Sequence, residues 1–562
     1  MLATGDHVNV QRDGRAGAEL TPQRASLVVL VVACLAHYWI CRMLSSDVAL
    51  DVDPINLVYG MRHFNVAHHA PHPPGYLVYI GMLRGLHSIV GGDPFHAVQL
   101  AARLLSTATI PLVYAVVRIL RPGSPSSWLY ATALAAFHPF LVFHAVDAQT
   151  HTAEAFAAAL LLLGVVRYRR RPSAVGAVAL GVLLAFGSAL RPSFVVAAVG
   201  PIVWAIGWRR PGHLAVAGAT SLAGAVAWIW PTLLASGGYA RWKAANDALV
   251  QQVFVRVKSP WSAGSLPNFV LDNLVNTSVW LVLLLAPAAF VLMARRGAPR
   301  TVDPAYREAR SIAAWTVLPS AVFYLSVFCS EPGYLLGAMP AVVVFTAVSA
   351  SSVHSVARRR LCYALGALAE IVILALPAAP PGSPLVKIPS IPELVSRDAI
   401  YTAALGLIAK QVPPSARILY ISDFVDLTLS RQLPVHHPRL HSMIVESEYW
   451  SVFEHTTIGL ATQDDWIPIP GPVLLQPGPP TILDVPFSYD FVVVGFAAST
   501  DLRHELGKRT RCDVDEMEGE TRVRVLSTHE CFPDGVIEVH GQGIRFELPP
   551  TSEILVAPQT RG

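Results

Sequence analysis

Within residues 50–83, LDVDPINLVYGMRHFNVAHHAPHPPGYLVYIGML, two aspartates, four histidines and a His-Pro-Pro-Gly-Tyr turn follow an apolar run long enough to cross a bilayer. A carboxylate placed there, Asp51 or Asp53, can take a proton from an acceptor group as a general base. It can equally hold a divalent cation together with a partner. Asp53-Pro54 also reads as a helix start, with Asp53 as N-cap and proline in the first turn. The two kinds of role are compatible. His63, His68, His69 and His72 lack the spacing of a zinc site, so they read as a belt facing water or lipid headgroups. In the turn at 72–76, two prolines and a glycine fix a hinge. Its other reading is a wall of a headgroup site, with His72 and Tyr76 facing a phosphate-bearing substrate.

A second polar group occurs further on. His144, Asp147, His151 and Glu154 fall within HAVDAQTHTAE (144–154), in otherwise apolar surroundings. Asp147 can supply the second carboxylate of a catalytic pair. Arg191, in the short turn LRPS, and Arg103, near a span end, are candidate phosphate partners because guanidinium matches phosphate geometry. Their plainer reading is snorkelling to the interface. Glu331 and Tyr334 in EPGYLLGAMP stand at the mouth of a later span, and Arg241, Lys243, Arg256 and Lys258 make the loop 236–270 basic. Neither a Gly-x-Gly-x-x-Gly after a strand nor a P-loop is visible, so if the protein is an enzyme its donor would come from the membrane.

The elements that must position these residues are transmembrane helices. Of 562 residues, 53% are hydrophobic and only 14% charged, against about a quarter charged in soluble domains. Mean hydropathy is +0.47. Apolar runs near 26–44, 75–91, 97–119, 128–146, 152–166, 173–190, 193–208, 213–235, 271–293, 311–329, 334–352 and 360–378 have the length of spans. Arginine clusters after 118, 167, 209, 295 and 358 belong on the cytoplasmic side. They all fall there only if 75–91 lies in the interface, as its interior Arg84 and His87 also suggest. The sequence therefore predicts an α-helical polytopic protein with eleven spans, N-terminus inside and all the candidate chemistry outside. Residues 1–25 read as a disordered cytoplasmic tail and 26–378 as the membrane domain. Beyond the proline-rich LPAAPPGSPLVKIPSIP, residues 379–562 read as a small extracytoplasmic α/β domain with strands in ARILYIS, FVVVGF and GVIEVHG. Cys512 and Cys531 can pair there if that side is oxidising. The net charge of +4 reports topology and gives no sign of nucleic-acid binding.

Asp53 with Asn56, then His72-Pro73-Pro74-Gly75-Tyr76, Arg103 in AARLLS, LRPS (190–193), WPTLLASGG (230–238) and PGYLLGAMPA (332–341) occur in an order that resembles the GT-C class of polytopic glycosyltransferases. The similar branches are the protein O-mannosyltransferases and the lipid A aminoarabinose transferases, over residues 26–352. The resemblance implies an extracytoplasmic site and a polyprenyl-phosphate-linked hexose or pentose donor. It implies an acceptor on protein, lipid or envelope glycan. It also implies inversion at the anomeric carbon, interfacial helices in the first loop and basic residues at the lipid phosphate. Asp53 takes the place of the catalytic base. Many members carry Asp-Glu where this chain has Asp53-Pro54, so a second carboxylate would come from Asp51 or Asp147, or be dispensable. No cofactor follows from the residues, and a divalent cation stays open. The competing readings are a flippase for lipid-linked saccharides, which should show internal repeats and broken helices, and a non-catalytic envelope-assembly protein.

Overall fold

The computed structural model describes residues 22–66, 70–250, 273–295, 303–327, 331–379, 387–422 and 427–437, with shorter pieces at 441–446, 457–461, 466–468, 482–494, 510–512, 523–539 and 542–548. His68, His69, Arg256 and Lys258, and all but the last few residues of the expected N-terminal tail, lie outside them.

Helix α1 (Pro22–Leu44) is apolar along most of its length and exposes Leu27, Val28, Val31, Val32, Leu35 and Trp39. Little of it is covered by protein, as expected of a helix whose side chains meet lipid. The loop after it leads into α2 (Val52–Arg62). Asp51 caps α2, its carboxylate accepting from the Asp53 amide at 3.4 Å. The cap is therefore Asp51, and Asp53 stands in the first turn, which corrects the sequence reading. Residues 54–61 of α2 are all buried.

The run read as interfacial forms α3 (Leu77–Val90), only 14 residues long. Its Arg84 donates to the carbonyls of Met61 (2.9 Å) and Gly60 (3.0 Å) at the end of α2. A cation there satisfies the helix's last carbonyls and opposes its dipole. Helix α4 (Pro94–Leu120) spans the whole body. Near one end Gln99 donates to Ser46 O at 2.6 Å, and at the other Arg121 pairs with Asp303. Its 27 residues cover roughly 40 Å. The basic loops lie at the Arg121 end: Arg169 and Arg170 pair with Glu308, and Arg295 lies over Tyr306. The acidic loops lie at the other.

Helices α5 (Pro125–Phe137) and α6 (Pro139–Val146) are one apolar run bent by 40° at His138-Pro139. Proline cannot donate to the preceding turn, so the helix breaks there. Helices α7 (His151–Arg170) and α8 (Ala174–Leu190) follow. Small residues let α8 meet the helix Pro211–Ala235 closely, with Gly181 against Ala217 and Gly224 against Ala185. Among the described residues five helices are long and apolar enough to cross a membrane, or six with the bent pair, and four shorter apolar helices accompany them. Some predicted runs are divided in this way: 334–352 becomes a 3-10 turn at Pro332–Leu335 and a helix at Met339–Ser351.

After the last apolar helix, Val356–Leu374, the chain forms the helix Ile391–Gln411 and a six-stranded mixed sheet in which Arg417–Ser422 runs parallel to both His441–Glu446 and Phe491–Val494. Ile418, Tyr420, Phe491 and Val493 pack with Tyr401, Ala404 and Ile408, and the same cluster reaches Val142 and Val146 of α6. Cys512 and Cys531 form a disulfide.

Candidate functional site

The two acidic loops meet. The loop before α2 is held by Gln99 and by Gln432, whose amide bonds both the N–H and the C=O of Ala49 (2.8 and 3.0 Å), and Arg397 donates to Leu50 O at 3.2 Å. Asp51 and Asp53 are thereby fixed above the turn between α6 and α7. Asp147 ends α6, and Ala148 turns the chain with φ 59°. Gln149 then donates to Asp147 Oδ2 (2.9 Å) and to Glu331 Oε2 (3.0 Å). His151 Nε2 lies 2.6 Å from Glu331 Oε1. Because an ionised carboxylate only accepts, the ring proton sits on Nε2. Gly333 makes this approach possible, since a Cβ there would run into the His151 ring.

Arg191 lies beneath this layer, 4% exposed, with Nε 3.0 Å from Glu154 Oε2 and 3.1 Å from Ser193 Oγ, and a further bond to Thr150. Tyr334 covers it, with the guanidinium carbon 5.1 Å from the ring centroid. His144 packs on His151 with centroids 4.9 Å apart, and neither of its ring nitrogens is hydrogen-bonded among the described residues.

On the open side, His72 Nδ1 is 3.3 Å from Asp53 Oδ1, an ion-pair distance without hydrogen-bond alignment, and Nε2 is 2.9 Å from the Tyr76 hydroxyl. Burial pushes the Tyr76 phenol up to about 12, so it keeps its proton and, in the neutral ring, donates to Nε2. That leaves the imidazole proton on Nδ1, facing Asp53. Trp242 donates to Pro74 O at 2.9 Å and braces the turn from the segment after Pro211–Ala235. The Asp53 side chain is 23% exposed, against 14% for Asp51 and 7% for Glu331.

The carboxylates are not equivalent. Burial, with Asp51 and Glu331 nearby, pushes Asp53 above its ordinary range, while His72 pulls it back. Asp147 is raised well above that range by burial and by Asp51, with Lys387 and Arg397 opposing. Burial also disfavours the charge on Glu331, but Lys387 and His151 overcome it and hold the group well below its usual range.

Of the residues read from the sequence, Asp51, Asp53, His72, Tyr76, His144, Asp147, His151, Glu154, Arg191, Glu331 and Tyr334 come together. Arg103 does not join them: it donates to Ser45 at 2.9 Å and lies over Tyr38, in the contact between α1 and α4. Sequence reasoning missed Lys387, which bonds Asp51 and Glu331, and Arg397, 3.9 Å from Asp51. It also gave no role to Gln149, Thr150 or Ser193.

No protein-family model and no curated protein matches the chain. Solved structures do. The fold is similar to that of ArnT from Cupriavidus metallidurans bound to undecaprenyl phosphate, with TM-score 0.50 and 14% identity over 75% of this chain and 93% of that one. The apo state of the same protein gives 0.48 and 14%, over 76% and 94%. Arabinofuranosyltransferase AftD from Mycobacteria gives 0.39 and 18%, over 72% and 30%. The fold is GT-C-like, and the chain is an integral membrane protein.

Proposed function

We propose that the protein transfers a sugar from a polyprenyl-phosphate donor to an extracytoplasmic acceptor, with Asp53 as general base. The observation that carries this reading is the asymmetry of the carboxylates: Asp53 is the most exposed of Asp51, Asp53 and Glu331, and the others are tied to cations and amides behind it. Asp53 takes the proton of the acceptor's nucleophile. The nucleophile bonds the anomeric carbon, and the bond from that carbon to the phosphate oxygen breaks on the opposite face, which inverts the configuration. The electron pair leaves on the lipid phosphate. Arg191, buried beneath the carboxylates and held by Glu154, supplies positive potential from a position where a fixed charge acts more strongly than in water. His72 faces Asp53 with Nδ1 at 3.3 Å and favours its ionised form, and Tyr76 fixes the tautomer of His72. A similar fold that binds undecaprenyl phosphate supports the donor class.

The reading includes an extracytoplasmic site and C-terminal domain, with residues 1–25 inside and 26–378 as the membrane domain. It is supported by the arginine loops lying at the end opposite the acidic cluster, and by the Cys512–Cys531 disulfide, which suits an oxidising compartment. The transport reading has the bent α5–α6 run on its side. That bend, however, delivers Asp147 to the cluster at the end of α6.

Purified protein is given a panel of polyprenyl-phosphate hexoses and pentoses with candidate acceptors, and release of polyprenyl phosphate is measured. Release coupled to a glycosylated acceptor is expected with at least one donor. Movement of intact lipid-linked saccharide across vesicles without release would replace this reading by transport.

A further inference from the structure

Asp51, Asp147 and Glu331 each offer an oxygen, and these oxygens lie within 4.8 Å of one another. That is the arrangement a divalent cation would need. Most of the places a metal would take are already in use, and of the three groups only Asp147 keeps a buried oxygen, Oδ1, without a hydrogen-bond partner among the described residues. Lys387 Nζ bonds Asp51 Oδ2 and lies 2.7 Å from Glu331 Oε2. Glu331 Oε2 also accepts from Gln149, and Oε1 faces His151. Asp147 Oδ2 accepts from Gln149 as well. A metal ion among these oxygens would stand at contact distance from an ammonium, inside a site where repulsion is weakly screened.

The lysine arrives from far away in the chain. Lys387 is 336 residues from Asp51 in sequence, yet it reaches the first loop from the segment after the last apolar helix. Its backbone φ is 59°, in the left-handed region that a lysine rarely adopts. The other non-glycine residues at positive φ among those described are Tyr76 and Ala148, which also flank site groups. Backbone held in such conformations concentrates at functional sites. Arg397, which contacts Asp51 and bonds Glu393 at 2.8 Å, adds a second cation on the same side.

We propose that Lys387 is the built-in cation of the three-carboxylate group, a positioning residue that holds Asp51 and Glu331 in place of a divalent metal ion. The residues therefore do not fit a resident metal, and sugar transfer proceeds without one. The claim rests on the proposed function for its catalytic meaning, but metal binding can be read without any turnover. Full-length protein in nanodiscs, wild type and Lys387→Ala, is stripped with chelator and titrated with Mn²⁺, free ion being followed by electron paramagnetic resonance. Wild type should bind no Mn²⁺ stoichiometrically up to about 1 mM, the weak end of protein cation sites. Lys387→Ala should bind one ion per chain, and Lys387→Ala with Asp51→Asn should lose it. Stoichiometric binding by wild type that Asp51→Asn abolishes would overturn the proposal. So would a folded Lys387→Ala protein that gains no affinity. Should Lys387→Ala fail to fold, the wild-type titration still decides. Where transfer is measurable, chelator should leave the wild-type rate unchanged; loss of transfer restored by added Mn²⁺ counts against the proposal.

Discussion

His72 and Asp53 make the sharpest prediction at the scale of single residues. A base must be deprotonated to work, so kcat/KM falls as pH drops through the Asp53 pKa. That pKa is raised above the ordinary value of about 3.9, and His72 is the neighbour that restrains the rise. His72→Ala should therefore move the acid limb of the pH profile to higher pH; a purely structural histidine would lower the rate and leave the limb in place. The carboxylates behind differ in stability. Glu331 is depressed, so its contribution is present above its unfolded pKa of about 4.3 and is lost as pH falls through the folded value. Glu331→Gln should cost about 3–5 kcal/mol at neutral pH, as expected when one partner of a buried ion pair is removed. Asp147 is raised, so it costs stability as pH rises above its unfolded pKa. Asp147→Asn should be as stable as wild type at pH 7, or more so. Thermal unfolding in detergent separates the two. Most of these groups were legible in the sequence because ionisable residues beside spans are costly and need partners. Lys387 was not, because a lysine in a proline-rich stretch looks like a solvated linker. Arg103 was given a phosphate role on its position alone, and Ser45 and Tyr38 turn out to be its partners.

At the scale of elements, the site depends on helices that stop where chemistry is needed. The α5–α6 run breaks at His138-Pro139 and ends at Asp147, and the run expected at 334–352 opens with the 3-10 turn Pro332–Leu335. Hydropathy shows the apolar runs but not these breaks, since each side of the break is equally apolar. The 3-10 turn brings Gly333 against the His151 ring, and Gly337 lies so close to Glu154 that a Cβ would sit 2.6 Å from Oε1. Gly333→Ala should displace His151 from Glu331 and lower both activity and melting temperature, while Gly212→Ala, at a position with open space, should change neither.

At the scale of the molecule, the chain separates charge between its ends: arginines with Asp303 and Glu308 at one, the mixed acid and cation cluster at the other. The positive-inside pattern made this division readable from the sequence. The packing of Arg417–Ser422 and Phe491–Val494 toward α6 was not readable, because it joins residues hundreds of positions apart. With the cluster outside, Cys512 and Cys531 of intact cells should react with an impermeant maleimide only after reduction; labelling only after lysis would go against the proposed orientation, and labelling without reduction would go against the disulfide. The central claim, that Asp53 is the base, is tested most directly by comparing kcat for sugar transfer in wild type and Asp53→Asn on the same lipid-linked donor. A loss of about 10²–10⁴-fold with the melting temperature unchanged is predicted. Transfer at the wild-type rate by a folded Asp53→Asn protein would contradict the account.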